Sequence, residues 1–410
     1  MKIIIIGASA AGISAARTIK EVEPNTQVTV ISRDDCVHSR CMLHHFLGHE
    51  RDEAGISFVD GHFFADNHIT WLKNTAVVGL NTAAKAVTTD DGQELFFDKL
   101  LIATGASYFV PPIPGLREAT NVYGFRDLKD ARLLDAECET AKNAVVIGAG
   151  LVGMDAASAL LKRGLKVTVI EMMDHTLGLQ LDEKSARPYQ QHFAAHGADF
   201  LLSEKVVAVD LDETGRGVTI QLASGKSIPA DVIVIAAGVR PSFDFLDKTG
   251  IATEKAILVG DDLQTNVADI YAAGDVTGLS GIWPNAMKQG RIAAINMLGE
   301  RLLYNDRFAI KNTVNFYGLT TLSLGNINPQ PEENFDVIVR EDHSSYRKII
   351  MKDGHISGVI IQGDIGGTGF LQHLIKQQID LSGLDKDVCD LEYSDFYAVD
   401  PENGEYHYAV

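Results

Sequence analysis

Runs of consecutive apolar residues, each closed by a glycine and followed by a small-residue stretch, recur along the first three quarters of the chain. One run is Ile3, Ile4, Ile5 and Ile6, then Gly7, Ala8, Ser9, Ala10, Ala11 and Gly12. Another is Ala144, Val145, Val146 and Ile147, then Gly148, Ala149, Gly150, Leu151, Val152 and Gly153. Unbroken apolar runs of this length predict strands buried on both faces, as in a parallel sheet, and the alanine-rich stretches predict helices. A further strand follows each helix, over residues 27–31 and 166–170. Residues 98–106, with Ala103, Thr104 and Gly105, and residues 231–241, with Gly238, are two similar strand-to-glycine crossings. Pro111, Pro112 and Pro114 mark a passage between domains. From Lys311 onward the pattern changes to alternating strands and turns, as in residues 346–354.

The repeated strand, glycine turn and helix is a dinucleotide-binding fingerprint, present twice. The fold class expected is α/β, with two Rossmann-like dinucleotide-binding domains and a C-terminal α+β domain. Residues 1–115 and 241–310 form the first, discontinuous domain, 116–240 the second and 311–410 the third. A length of 410 residues suits two or three domains. Gly7 lets the chain turn off its strand, and Gly12 lets the helix approach the sheet. The helix start then offers free N–H groups and a positive dipole end to a pyrophosphate. The first fingerprint departs from the usual pattern twice. Ser9 stands where a middle glycine is usual, and Ser32, followed by Arg33, stands where an acid for the ribose is expected. Ser32 donating one hydrogen bond, or Asp34 reaching back, are both open at this point. The second fingerprint is intact at Gly148, Gly150 and Gly153, with Leu151 and Val152 opening the helix. Glu171 ends the next strand at the spacing of a ribose acid. A carboxylate there accepts from both ribose hydroxyls and repels a 2′-phosphate, so NADH is expected over NADPH.

Charge and composition narrow the surroundings. Formal net charge is −19, which disfavours nucleic acid and anionic membranes as partners. No apolar run reaches membrane-spanning length, and the start on a strand predicts no signal peptide. Four cysteines, Cys36, Cys41, Cys138 and Cys389, are too few for a disulfide scaffold. Together these predict a cytoplasmic protein.

With these motifs on the page, the chain resembles the FAD-dependent pyridine nucleotide-disulfide oxidoreductases over about its first 310 residues. Thr265 and the stretch Asp269, Ile270, Tyr271, Ala272, Ala273, Gly274, Asp275 and Val276 are similar to the family's third flavin motif, in which the aspartate, here Asp275, holds the ribityl chain. Trp283, Pro284, Asn285 and Ala286, followed by Gln289 and Gly290, resemble the helix start that faces the flavin's pyrimidine edge. Arg126 matches a recurrent family position, and Ala103, Thr104 and Gly105 resemble the crossing near the flavin. The resemblance implies FAD at the first fingerprint and NADH at the second. Asp155 stands where relatives carry a glutamate near the nicotinamide.

The cysteine- and histidine-rich stretch of residues 37–49 resembles two branches of the family at once. Arg40 is similar to rubredoxin reductases and the flavin part of nitrite reductase large subunits. Cys41 is similar to NADH oxidases and coenzyme A disulfide reductases. The tail, with Lys352, Asp353 and Gly354, resembles the first of these branches. A thiol at a helix start beside Arg40 is expected to be partly thiolate. It could be redox-active, or a small residue filling the flavin pocket. The spacing of Cys36 and Cys41 is that of a disulfide pair but lacks the surrounding glycines, and Cys36, Cys41, His44, His45 and His49 read better as a polar face than as a metal site. The activity implied is transfer of hydride from NADH to FAD, then of electrons to a rubredoxin- or ferredoxin-like protein or a partner oxidoreductase subunit. Arg33, Arg40, Lys288 and Arg291 are candidates for a local basic docking patch, and a homodimer is open. The alternatives are a disulfide, persulfide or oxygen reductase working through Cys41, and a non-catalytic redox-sensing module.

Overall fold

Ile3 through Ile6 are buried, and their strand, Lys2–Ile6, pairs in parallel with Gln27–Ile31 on one side and Lys99–Ile102 on the other. In this computed structural model, which describes residues 1–306, 310–330 and 333–408 (the side chains of 406–408 excepted), that trio is the centre of a five-stranded sheet. Its outer strands are Ile69–Leu72 and, from far along the chain, Ile270–Ala272. Helix Ala10–Val22 crosses between the first two strands, as a parallel pair requires.

The same plan is built again from residues 122–235. Asn143–Ile147 lies between Lys166–Ile170 and Val232–Ile235, with Ala198–Leu201 and Val122–Tyr123 at the edges, all parallel. Helix Leu151–Lys162 follows its central strand. Each sheet also has a three-stranded antiparallel meander inserted before its closing strand. One is Val77–Asn81, Ala86–Thr89 and Glu94–Phe96; the other is Val206–Leu211, Gly217–Leu222 and Ser227–Pro229. Ala106–Tyr108 and Val239–Pro241, at the ends of the two crossings seen in the sequence, pair with each other antiparallel. The Arg240 guanidinium lies 4.0 Å from the Phe109 ring centre beside them.

Both sheets belong to one compact unit, residues 1–172 with 197–307. A second unit joins residues 173–196 to 308–410. Its five-stranded antiparallel sheet runs Lys311–Phe316, Leu319–Gly325, His355–Gln362, Tyr346–Lys352 and Asp336–Glu341 in spatial order. Helix Gly369–Gln377 buries Phe370, Leu371, Leu374 and Ile375 against Leu322, Ile349 and Ile361. Helix Glu183–Ala195 joins this unit through buried Tyr189, whose hydroxyl meets Thr321 Oγ1 at 2.8 Å and donates to the carbonyl of Val314 or Leu319. The α/β class, the two parallel-sheet lobes and the C-terminal sheet domain agree with the sequence expectation. No helix among the described residues is long and apolar enough to cross a membrane.

Candidate functional site

The first glycine turn is dictated by contact. Gly7 has φ +115°, and a Cβ there would lie 2.2 Å from the Ala103 carbonyl oxygen. A Cβ on Gly12 would lie 1.8 Å from the Gly7 oxygen. Helix Ala10–Val22 therefore comes down on its own strand end, burying Ala10 and Ala11. Ser9 is its N-cap, and the Ser9 side chain makes no capping bond. Ser32, at the end of the neighbouring strand, is buried and engaged by the protein. Its hydroxyl donates to the Asp34 carbonyl at 3.2 Å and accepts from the Trp71 indole at 3.0 Å. Arg33 is exposed.

A polar network lies around the third motif. Arg126 Nη2 donates to Asp275 Oδ2 at 2.8 Å, and Arg40 donates to the Arg126 carbonyl while standing 3.6 Å from Asp34. Gly274, at φ +84°, presents its N–H to Gln289 Oε1 at 2.7 Å. Gln289 Nε2 and Arg126 Nε are buried donors without a protein partner. Helix Trp283–Met297 begins with Pro284 in its first turn and no side-chain cap; Ala286 is buried one turn in. Gly290 packs so closely on the first helix that a Cβ would lie 2.1 Å from the Ala11 oxygen. Thr104 Oγ1 donates to the Ser242 carbonyl at 2.5 Å, and Gly105 faces open space.

The second turn repeats the first with fewer obstructions. Gly148 has φ +107°, its Cβ position blocked by the Ala236 oxygen at 2.4 Å. The Gly153 Cβ position lies 1.9 Å from the Gly148 oxygen. Gly150, the N-cap, has nothing within 4 Å of its Cβ position, so a ligand could approach its backbone directly. Leu151 and Val152 form the first turn. Glu171 Oε2 accepts from Ala149 N at 2.7 Å, which holds the carboxylate beside the turn. Gly238, at φ +101°, is exposed at the crossing.

The cysteine- and histidine-rich stretch departs from expectation. Cys41, in the short turn Arg40–Met42 ahead of helix Leu43–Leu47, is exposed and free. Its pKa is raised, not lowered: desolvation is the largest cause, with Asp155 and Asp275 adding to it and Arg126 opposing. That direction runs against the expected thiolate. The Arg40 guanidinium is turned to Asp34 and a carbonyl, and a five-residue helix has little dipole to offer. Burial and Asp35 push the Cys36 thiol up to about 11, and both thiols are free. Lys288 pairs with Asp306, so two members of the proposed basic patch, Lys288 and Arg40, already have carboxylates beside them. No metal-binding group of three residues is found among the described residues. The histidines meet acids instead: His45 with Glu50 at 2.6 Å and His49 with Asp135 at 2.8 Å.

Two relations escaped sequence reasoning. His44 Nδ1 stands 3.7 Å from Asp155 Oδ1 on helix Leu151–Lys162. Burial pushes the Asp155 carboxyl up to about 7 and the His44 ring down to about 4. Asp130, beside its helix N-cap Asp127, is also raised to about 7, first by burial and then by Asp127. No local signal could have revealed either, since both depend on what packs around the carboxyl.

Residues 1–290 match the pyridine nucleotide-disulphide oxidoreductase family, and residues 311–379 match the rubredoxin NAD+ reductase C-terminal domain. The chain belongs to the pyridine nucleotide-disulphide oxidoreductases. It is 32% identical over 397 residues to the NADH-dependent phenylglyoxylate dehydrogenase subunit epsilon of Aromatoleum evansii, covering 93% of each chain. To a nitrite reductase [NAD(P)H] of Bacillus subtilis it is 29% identical, covering 94% of this chain but only 48% of that one. Among solved structures, an NAD-dependent persulfide reductase from A. fulgidus superposes with a TM-score of 0.84 at 27% identity, covering 94% of this chain and 79% of that one. The chain is an NADH-dependent flavin oxidoreductase, with FAD and NADH as cofactors. The site fits such groups: two uncapped helix starts abut glycine turns, Gly150 is open to approach, and buried donors on Gln289 and Arg126 lack protein partners beside Asp275.

Proposed function

We propose that this chain passes electrons from NADH to a separate redox carrier, a rubredoxin- or ferredoxin-like protein or a partner oxidoreductase subunit. The observation that carries this reading is the match of residues 311–379 to the rubredoxin NAD+ reductase C-terminal domain, and the upward direction of the Cys41 pKa, from desolvation first and then Asp155 and Asp275, agrees with it. A site working through thiolate chemistry calls for the opposite. The end-to-end likeness to a named dehydrogenase subunit and the rubredoxin reductase-type C-terminal domain support a protein as acceptor.

When bound, FAD supplies the centre that takes hydride from NADH and gives electrons onward. Gly7, Ser9, Ala10, Ala11 and Gly12 would cradle its pyrophosphate, and Ser32 and Arg33 would border the adenosine end. Arg126 holds the Asp275 carboxylate in one orientation, ready to accept from a ribityl hydroxyl. Arg40 steadies Arg126, and Cys41, Ala103, Thr104 and Gly105 would line the ring. The start of helix Trp283–Met297, with Pro284 and Ala286, would favour negative charge at the ring's edge. Gly148, Gly150, Leu151, Val152 and Gly153 would receive NADH, Glu171 its ribose, and Asp155 and Gly238 its nicotinamide side.

The second reading, a disulfide or persulfide reductase, is favoured by the exposure of Cys41 and by the likeness to the persulfide reductase. Cys41→Ser decides between them. NADH-driven reduction of a rubredoxin or ferredoxin should persist within about threefold in the variant. Its loss, together with loss of coenzyme A disulfide reduction that the wild type performs, would establish the second reading instead.

A further inference from the structure

A side-chain amide carries one acceptor oxygen and one donor nitrogen, and burying either half unmatched is costly. In Gln289 the protein matches only the oxygen. The side chain is 0% exposed, in the second turn of helix Trp283–Met297. Its Oε1 accepts from Gly274 N at 2.7 Å, and the Thr277 hydroxyl stands 3.4 Å from the same oxygen. A backbone N–H can only donate, so the amide cannot be turned over without setting donor against donor. Nε2 is thereby fixed as the other end, and it has no acceptor among the described residues.

We propose that Gln289 is a positioning residue for FAD, donating through Nε2 to the cofactor's pyrophosphate and holding it at the first glycine turn. The inference rests on the placement of FAD at that turn and not on the identity of the electron acceptor.

The packing around Gln289 leads to that turn. Gly290, next in the chain, is pressed on the first helix, its Cβ position 2.1 Å from the Ala11 oxygen. Gly274, which holds the Gln289 oxygen, meets the same residue, its Cβ position 3.3 Å from Ala11 Cβ. Ala11 lies in the first turn of helix Ala10–Val22, where Ser9 provides no side-chain cap. The N–H groups of such a turn attract a phosphate, and the Gln289 donor is buried beside them. The neighbouring side chains Ala10, Ala11 and Ala286 are apolar and buried, and offer no acceptor. Asp275, the acid that follows Gly274, is engaged by Arg126 at 2.8 Å. One amide thus links the turn that bears the ribityl-side acid to the turn that faces the phosphates.

The test separates this role from a merely structural one. Gln289→Glu keeps an acceptor for Gly274 and exchanges the donor for an oxygen; Gln289→Met removes both. FAD release from diluted holoenzyme is followed by the return of free-flavin fluorescence. Gln289→Met should release FAD about 10- to 100-fold faster than wild type. Relative to wild type at each pH, release from Gln289→Glu should accelerate between pH 5 and pH 9, as its carboxyl ionises against the phosphates. The rise in Tm that FAD confers should shrink in Gln289→Met, whereas a structural role would lower Tm equally with and without FAD. The flavin midpoint potential should stay at the wild-type value. If Gln289→Met does not fold, Gln289→Glu carries the test. Wild-type release from both variants, or an equal loss of Tm with and without FAD, would overturn the inference. A shifted midpoint potential would put the donor on the flavin ring and overturn the assignment to the pyrophosphate. Ser9→Glu checks the placement itself, since a carboxylate at the same helix start should also speed release. Wild-type release from Ser9→Glu would remove FAD from the first turn; fast release there with wild-type release from the Gln289 variants would sink the role of Gln289 alone.

Discussion

The two glycine turns share a backbone and differ in what surrounds it. In each, the first glycine has a positive φ and its missing Cβ makes room for a carbonyl oxygen of the crossing strand; in each, the last glycine is pressed on the first. The ribose positions diverge. Glu171 is an acid held by the Ala149 amide of its own turn, whereas Ser32 is a hydroxyl held by the Trp71 indole of a neighbouring strand. Backbone packing thus makes the same turn twice, and the side chain at the second strand's end is where the two differ. An acid gives a ligand that comes and goes a selective, charge-assisted contact. A buried neutral hydroxyl suits a resident one.

The comparison breaks most severely at the shared glycines. Gly12→Val and Gly153→Val force side-chain atoms into backbone oxygens, and each should cost about 4 kcal/mol or more, read as loss of soluble, yellow protein. Gly150→Ala, with open space at its Cβ position, should fold normally; a failure to fold would contradict the packing argument. Next comes Glu171→Gln. Hydrogen bonds to charged groups contribute about 1.5–3 kcal/mol, so KM for NADH should rise about 10- to 100-fold while FAD content stays at the wild-type level. An unchanged ratio of NADH to NADPH use would separate Glu171 from selectivity.

Asp130→Asn sharpens the contrast from the stability side. Burial raises this carboxyl from 3.8 to about 7, so the native state keeps a proton that the unfolded chain has lost. Stability therefore falls as pH rises from about 4 to about 7 and remains lower above that. The variant should be more stable than wild type at pH 8, by about 2 kcal/mol, and no more stable at pH 4, as melting curves would show. The smallest effect is expected from Ser32→Ala, which leaves the Trp71 indole without its acceptor. A loss of about 1 kcal/mol in stability is expected, with a modest rise in FAD Kd.

The parts legible in the sequence were those set by short-range backbone chemistry. Gly7, Gly12, Gly148 and Gly153 announce tight turns because no other residue fits, and unbroken apolar runs announce buried parallel strands. The departure at Ser32 was visible, but its partner Trp71 lies 39 positions away and has no periodic relation to it. The upward direction of the Cys41 pKa is not legible from its sequence neighbour Arg40, because its largest cause is desolvation by what packs around it. The two carboxylates that add to it, Asp155 and Asp275, come from distant segments. Lys288 likewise looked available for docking until Asp306 was seen beside it. Nearest-neighbour reading locates glycine turns well and charge environments poorly.

The return of Ile270–Ala272 to the edge of the first sheet, with Gly290 pressed on the first helix, sets an order of events on the ribosome. All five strands of the middle lobe have been synthesised by residue 235, so that lobe can close early. The N-terminal lobe, although made first, must wait with an open flank until the helix ending at Met297 has left the exit tunnel.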